Sequence, residues 1–136
     1  MKRLLSTSYT ETTFNLATFL LRCSFAFLIC LIHGVPKLAN FGQWQHNFYN
    51  FLGIGQSLSL ILSIIAEVFA SMLLVLGVFS RLAALLLVVD TFVAAFIYHH
   101  GQAIEKHEDA ILYFTGFLVI FLVGPGKWSV DGATGR

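Results

Sequence analysis

Residues 58–98 read LSLILSIIAEVFASMLLVLGVFSRLAALLLVVDTFVAAFIY. Two apolar runs, 58–79 and 82–98, are parted only by Ser80 and Arg81. Each is close to the roughly 20 residues that a helix needs to cross a hydrocarbon core. So short a connection makes the two helices antiparallel neighbours. Outward from this pair lie a first apolar run, 14–33, and a last one, 110–123. The last is short, and its helix is expected to begin earlier, between Glu105 and Glu108, because acidic side chains favour a helix N-terminus. The chain therefore reads as an all-α membrane protein. The expected architecture is a four-transmembrane-helix bundle with spans near 14–33, 58–79, 82–99 and 107–123, in one domain covering 1–136.

Composition agrees. Of 136 residues, 57% are hydrophobic and 11% charged, against about 25% charged in soluble domains. Mean hydropathy is +0.81, so lipid is the natural solvent. The net charge of +1 offers no basic surface for nucleic acid. Lys2 and Arg3 are separated from the first apolar run by the polar stretch 6–13, and no small-residue cleavage site follows that run. They read as a retained cytoplasmic anchor rather than a cleaved signal. With four spans, Lys2, Arg3, Arg81, Lys127 and Arg136 share one side, while Lys37 and Lys106 face the other. That bias predicts cytoplasmic N- and C-termini.

The segment 34–56 is long and aromatic. Trp and Tyr gather at the headgroup level, so 44–52 is expected as a short interfacial helix, or else as a partly re-entrant loop over the bundle mouth. Gly124, Pro125 and Gly126 stop the last helix, and Trp128 anchors that end. Cys23 and Cys30 lie seven residues apart in the first run, about 10 Å of helical rise. A disulfide needs Cα atoms within about 7 Å, so they do not pair with each other. With no Cys-x-x-Cys, thiol–disulfide exchange is disfavoured.

Three ionisable residues interrupt the apolar spans: Arg22, Glu67 and Asp90. Counted at 1.5 Å per residue from the basic side, Arg22 and Asp90 lie about 12 Å deep and Glu67 about 18 Å. Charges at such depth face the bundle interior and pair. Arg22 is therefore expected to bridge Glu67 and Asp90 as a buried polar centre. One guanidinium cannot neutralise two carboxylates, which leaves a carboxyl able to exchange a proton with a ligand. The alternative is a purely structural clamp that fixes helix register.

The five histidines, His33, His46, His99, His100 and His107, all fall on the less basic side. Imidazoles beside Glu105, Glu108 and Asp109 could ligate a divalent transition metal, with His33, His99, His100 and His107 as ligands. Hydrogen bonding at a wet interface is the plainer reading, and no His-Glu-x-x-His is present. A third reading is a cleft for a lipid-soluble ligand such as a quinone, lined by loop aromatics, His33, Tyr113 and Glu67.

The order of these features resembles a family. Leu21-Arg22, then His33-Gly34-Val35-Pro36-Lys37-Leu38, Glu67 in the second span, Leu76 to Ala84, Glu108, and Gly124 to Asp131 are similar to the pattern of DoxX-family membrane proteins over nearly the whole chain. Asp90 departs from that pattern. The resemblance implies a four-helix bundle in the bacterial inner membrane. Named DoxX members resemble a subunit of a thiosulfate:quinone oxidoreductase, and others are linked to membrane redox and oxidative-stress systems. It therefore implies a subunit of a membrane redox system interacting with quinone, with Arg22 and Glu67 at its centre and His33, Lys37, Glu108 and Tyr113 shaping the outer mouth. No Rossmann fingerprint or Cys-x-x-Cys-His is present, so electrons would come from a redox partner protein or from the substrate. The competing readings are a non-catalytic scaffold or assembly partner, and a small carrier for a lipid-soluble or ionic solute, which would work as a homo-oligomer.

Overall fold

The computed structural model describes residues 3–135, and every regular element among them is helical. Three helices are long and apolar enough to cross a membrane: α1, Glu11–Ala39; α3, Gln56–Leu76; and α4, Ser80–Tyr98. Between the first two lies a single helical turn, α2, Phe41–Trp44. After α4 come α5, Glu108–Val123, and a short α6, Val130–Thr134. At 16 residues, α5 is about 24 Å long.

Local chemistry sets the boundaries. The Thr10 hydroxyl accepts from the Thr13 N–H at 3.2 Å and caps α1. The first span was expected to end near residue 33, yet the helix runs on to Ala39. A wide π-helical turn, Cys30–Gly34, carries it through: the Val35 N–H reaches back five residues to the Cys30 carbonyl, just before Pro36, which has no N–H to give. Helix α3 ends in a left-handed residue, Gly77 (φ 75°), with the Val78 N–H returning to the Leu73 carbonyl at 2.9 Å. Glu108 and Asp109 occupy the first turn of α5, and a 3-10 turn, Ile104–Lys106, precedes it.

Helix α4 packs along α5, and α1 packs against α5 and the second half of α3. The shared core is Ala26, Ile29, Ala66, Ala70, Leu74, Ala83, Ala84, Leu87, Phe117 and Ile120. Its many alanines let helices approach closely, as apolar packing without a water-driven term requires. Where α1 meets α3, a Cβ on Gly34 would lie 2.8 Å from Val68 Cγ2 and 2.9 Å from the Glu67 carbonyl oxygen. Large apolar side chains such as Leu20, Phe27, Phe69, Leu82 and Leu122 point outward, as a lipid-facing surface would have them.

The segment 44–52 is not a helix. It leaves α2 through turns and ends in a 3-10 turn, Phe51–Gly53, with Leu52 at φ 50°. The Ser59 hydroxyl takes the Phe51 N–H at 2.9 Å and ties the loop to the start of α3. The helical turn that does form lies upstream, because α1 runs past Pro36.

Candidate functional site

Polar side chains gather at two places, at opposite ends of the helices. The first is the end that carries the Gly77–Ser80 connection and the chain's C-terminal segment. Here the Asp131 carboxylate accepts the Phe79 N–H at 3.1 Å and the Ser80 N–H at 2.7 Å, capping α4 from across the fold. The Asp131 N–H donates to the Gly77 carbonyl at 2.8 Å. Asn15 on α1 accepts the Lys127 N–H at 2.8 Å, and Lys127 pairs with Glu11. Arg22 belongs to this end. It is 1% exposed, donates through Nη2 to the Trp128 carbonyl at 2.8 Å, and lies 5.6 Å from the Phe19 ring centroid. Its Nε and Nη1 are buried and meet no hydrogen-bond partner among the described residues. A Cβ on Gly77 would collide with its Nη1. Lys2, read as part of the anchor, and Arg136, counted in the charge bias, lie outside the described residues.

Arg22 therefore does not bridge Glu67 and Asp90. The reason is direction rather than depth. Side chains on a helix lean toward that helix's own N-terminus. Helices α1 and α3 are antiparallel, so Arg22 and Glu67 lean away from each other. Lys37, less than one turn beyond the π turn on α1, leans back toward Glu67 and becomes its partner.

The second polar group lies at the loop end, in a cavity of about 880 Å³ between α1, the 41–53 loop, α3 and α4. Lys37 Nζ donates to Glu67 Oε2 at 2.5 Å and to Ser63 Oγ at 3.0 Å. It also lies 5.6 Å from the Phe48 ring centroid. Glu67 is 5% exposed and forms part of the cavity lining. Asp90 reaches the same group from α4, beside Lys37, Ser63 and Glu67, and is half-buried. Trp44, Phe48, Phe51, Leu62, Val93 and Tyr98 are among the apolar residues that line it. Tyr49 meets Tyr98 edge to face, ring centroids 5.6 Å apart, and holds the loop against α4. Each of the three long helices has a π-helical stretch bordering this space: Cys30–Gly34, Ile65–Ala70 and Val93–Tyr98. Such stretches cost regular hydrogen bonding and occur often at functional sites.

The outer-mouth residues divide. His33 and Lys37 line the cavity. His33 Nε2 is 3.7 Å from Asp109 Oδ2. Its ring meets Tyr113 edge to face at 5.6 Å. Tyr113 itself lines a smaller neighbouring hollow with Phe25 and Leu28. Glu108 is exposed and does not line the cavity; Asp109, one residue on and turned about 100° around α5, does. The histidine metal centre is not formed. His99 stacks on His107 at 5.8 Å and faces Gln102 at 3.1 Å, while His100 and His46 are exposed. Among the described residues, no three His, Cys, Asp or Glu side chains form a metal-ligand group.

Sequence reading missed Ser63 and the pairing of Lys37, and it placed Asp109 only among the carboxylates beside the histidines. Lys37 did carry a signal: it is one of two lysines on the acid-rich side and follows an apolar run closely. Recognising its partner required knowing that α1 continues through Pro36.

Comparison with known proteins matches the family model DoxX to residues 17–100, which takes in most of α1, the loop, α3, α4 and most of the residues that line the cavity. The inner membrane protein YphA of Escherichia coli (strain K12) is 30% identical over 113 residues, covering 76% of this chain and 81% of its own length. No solved structure matches. The helices, the buried ionisable groups and this match lead to one assignment: the chain belongs to the DoxX family of membrane proteins.

Proposed function

We propose that the protein binds a lipid-soluble, quinone-type ligand in the loop-end cavity, as a subunit of a membrane redox system. The observation that carries this reading is the cavity itself. Its volume of about 880 Å³ falls within the roughly 300–1,000 Å³ usual for small-molecule sites. Its walls are largely apolar, as a prenyl tail needs, and its polar groups converge at one place, Lys37, Glu67 and Asp90. A Lys37 N–H beyond the two already given to Glu67 and Ser63 can donate to a ligand carbonyl oxygen. No side chain here is an evident electron carrier, so electrons pass between the ligand and a partner protein.

In this reading α5 is a fourth span beside the three longer helices, completing the bundle. Arg81 and Lys127 lie at the end that holds the C-terminal segment, which the positive-inside rule assigns to the cytoplasm. The cavity then opens on the outer side of the bacterial inner membrane, the compartment that the printed name of YphA gives for that relative.

The test uses intrinsic fluorescence. Of the two tryptophans, only Trp44 lines the cavity. A Trp128→Phe protein in lipid nanodiscs, titrated with ubiquinone-1, should show saturable quenching of Trp44 that Lys37→Met removes. Quenching that is linear in quinone and indifferent to Lys37 would reflect partition into lipid and sink the proposal.

A further inference from the structure

The lining of the loop-end cavity is short of positive charge. From α1 it takes Lys37 and the His33 imidazole; from α3, Glu67 and the Ser63 hydroxyl; from α5, Asp109. From α4 it takes Asp90 and Tyr98, with His99 just past the helix end, and from the loop Tyr49. With neutral imidazoles, three carboxyl groups face one ammonium. Lys37 and Glu67 balance each other. Asp90 is the surplus, and it lies against Glu67, Ser63 and Lys37. An uncompensated negative charge among apolar walls is costly. The two carboxyls beside Lys37 therefore hold one proton between them unless another cation joins the group.

The same space is walled by rings. Trp44, Phe48, Tyr49, Phe51 and Tyr98 line it, and Lys37 Nζ already lies 5.6 Å from the Phe48 ring centroid. Ring faces attract cations, most strongly where water is excluded. An inorganic ion is poorly served: Ca²⁺ and Mg²⁺ take about six or more oxygens, and the described residues form no metal-ligand group. A positive charge carried on an apolar body matches both the carboxyl surplus and the rings. We propose that the cavity is a site for lipophilic organic cations of the quaternary ammonium or phosphonium kind, taken up in exchange for the proton that Glu67 and Asp90 share. One positive charge enters and one proton leaves to water, so the charge of the site is unchanged. Lys37 stays on Glu67, and Asp90 faces the bound cation. The inference stands on the charge and the rings of the lining, not on a quinone as ligand.

Isothermal titration calorimetry of the nanodisc-embedded protein, with empty nanodiscs subtracted, tests this with two probes. Tetraphenylphosphonium is a cation with no ionisable hydrogen of its own, and triphenylphosphine oxide is an uncharged relative. Repeating the titration in buffers of different ionisation enthalpy counts the protons released. The expected result is saturable binding of the phosphonium, at least about tenfold tighter than the oxide, a desolvated cation–π contact being worth about that much. Between about pH 6 and about pH 9 its binding should release up to about one proton, and its affinity should rise by up to about tenfold per pH unit, since proton and cation compete. Asp90→Asn leaves Lys37 and Glu67 balanced, so both the proton release and the preference for the cation should disappear. Binding without release anywhere in that range, or equal binding of the oxide, would overturn the inference. A release that survives Asp90→Asn would place the proton elsewhere, on a histidine or Asp109, and would overturn it too. The wild-type affinities and proton count need no variant, so they stand even if Asp90→Asn misfolds. A phosphonium that does not bind overturns this inference and leaves the quinone reading to its own titration.

Discussion

The two polar ends of this bundle are built on different plans. At the C-terminal end, side chains are spent on backbone: Asp131 on two N–H groups, Asn15 on one, Arg22 on a carbonyl. Its contacts tie the C-terminal segment across the ends of α1, α3 and α4. At the loop end, side chains are spent on one another, around open space. Backbone-directed contacts fix geometry. Side-chain contacts beside a cavity leave donors and acceptors that a ligand can share. The chain thus has a latch at one end and a candidate site at the other.

The sharpest way to break the comparison is to damage each end and read both stability and binding. Gly77→Ala should have the largest effect. It forces a non-glycine residue into φ 75° and drives a Cβ into Arg22 and Ser129, a combined cost of about 3 kcal/mol. Thermal unfolding in detergent should show it, with ligand affinity of the surviving folded protein unchanged. Asp131→Ala comes next, at about 1–3 kcal/mol, because the Phe79 and Ser80 N–H groups lose their carboxylate acceptor. Hydrogen exchange should quicken at residues 78–82 and leave the loop end as it was.

At the cavity, Lys37→Met should lower quinone affinity at least about tenfold and also cost stability by about 1–3 kcal/mol, since Glu67 is left buried without its cation. The double variant Lys37→Met, Glu67→Gln should recover the stability, as removing both partners of a buried pair does, but not the affinity. That split between the two readouts would mark the pair as part of a site rather than a clamp. Tyr49→Phe should do least. It keeps the edge-to-face contact with Tyr98, so stability should move by under about 0.5 kcal/mol.

What could be read from sequence follows from the kind of physics involved. Long apolar runs and the two-residue break at Ser80-Arg81 are one-dimensional signals, and helices lie there. The ionisable residues Arg22, Lys37, Glu67 and Asp90 were legible as exceptions within or beside those runs. Their pairing was not, because counting residues gives depth and says nothing of lean. Arg22 and Glu67 are at similar height but lean apart along antiparallel helices, while Lys37 leans into Glu67. The first apolar run ends near residue 33, but the helix continues through the π turn to Ala39. The histidines share a level but not a face, so proximity in height did not become a ligand set. The C-terminal Gly-Pro-Gly-Lys-Trp-Ser-Val-Asp read as a helix stop and an anchor. Its role as a cap for α4 depends on contacts more than fifty residues apart in sequence, such as Asp131 to Ser80 with a separation of 51.

The most direct test of the central claim is photolabelling of the nanodisc-embedded protein with a short-chain azidoquinone, followed by peptide mass spectrometry. The account predicts adducts that excess ubiquinone-1 displaces, concentrated in the cavity-lining segments around Trp44–Phe51, Leu62–Glu67 and Val89–Tyr98. Displaceable adducts confined to the latch, at residues 15–22 or 124–131, would contradict it.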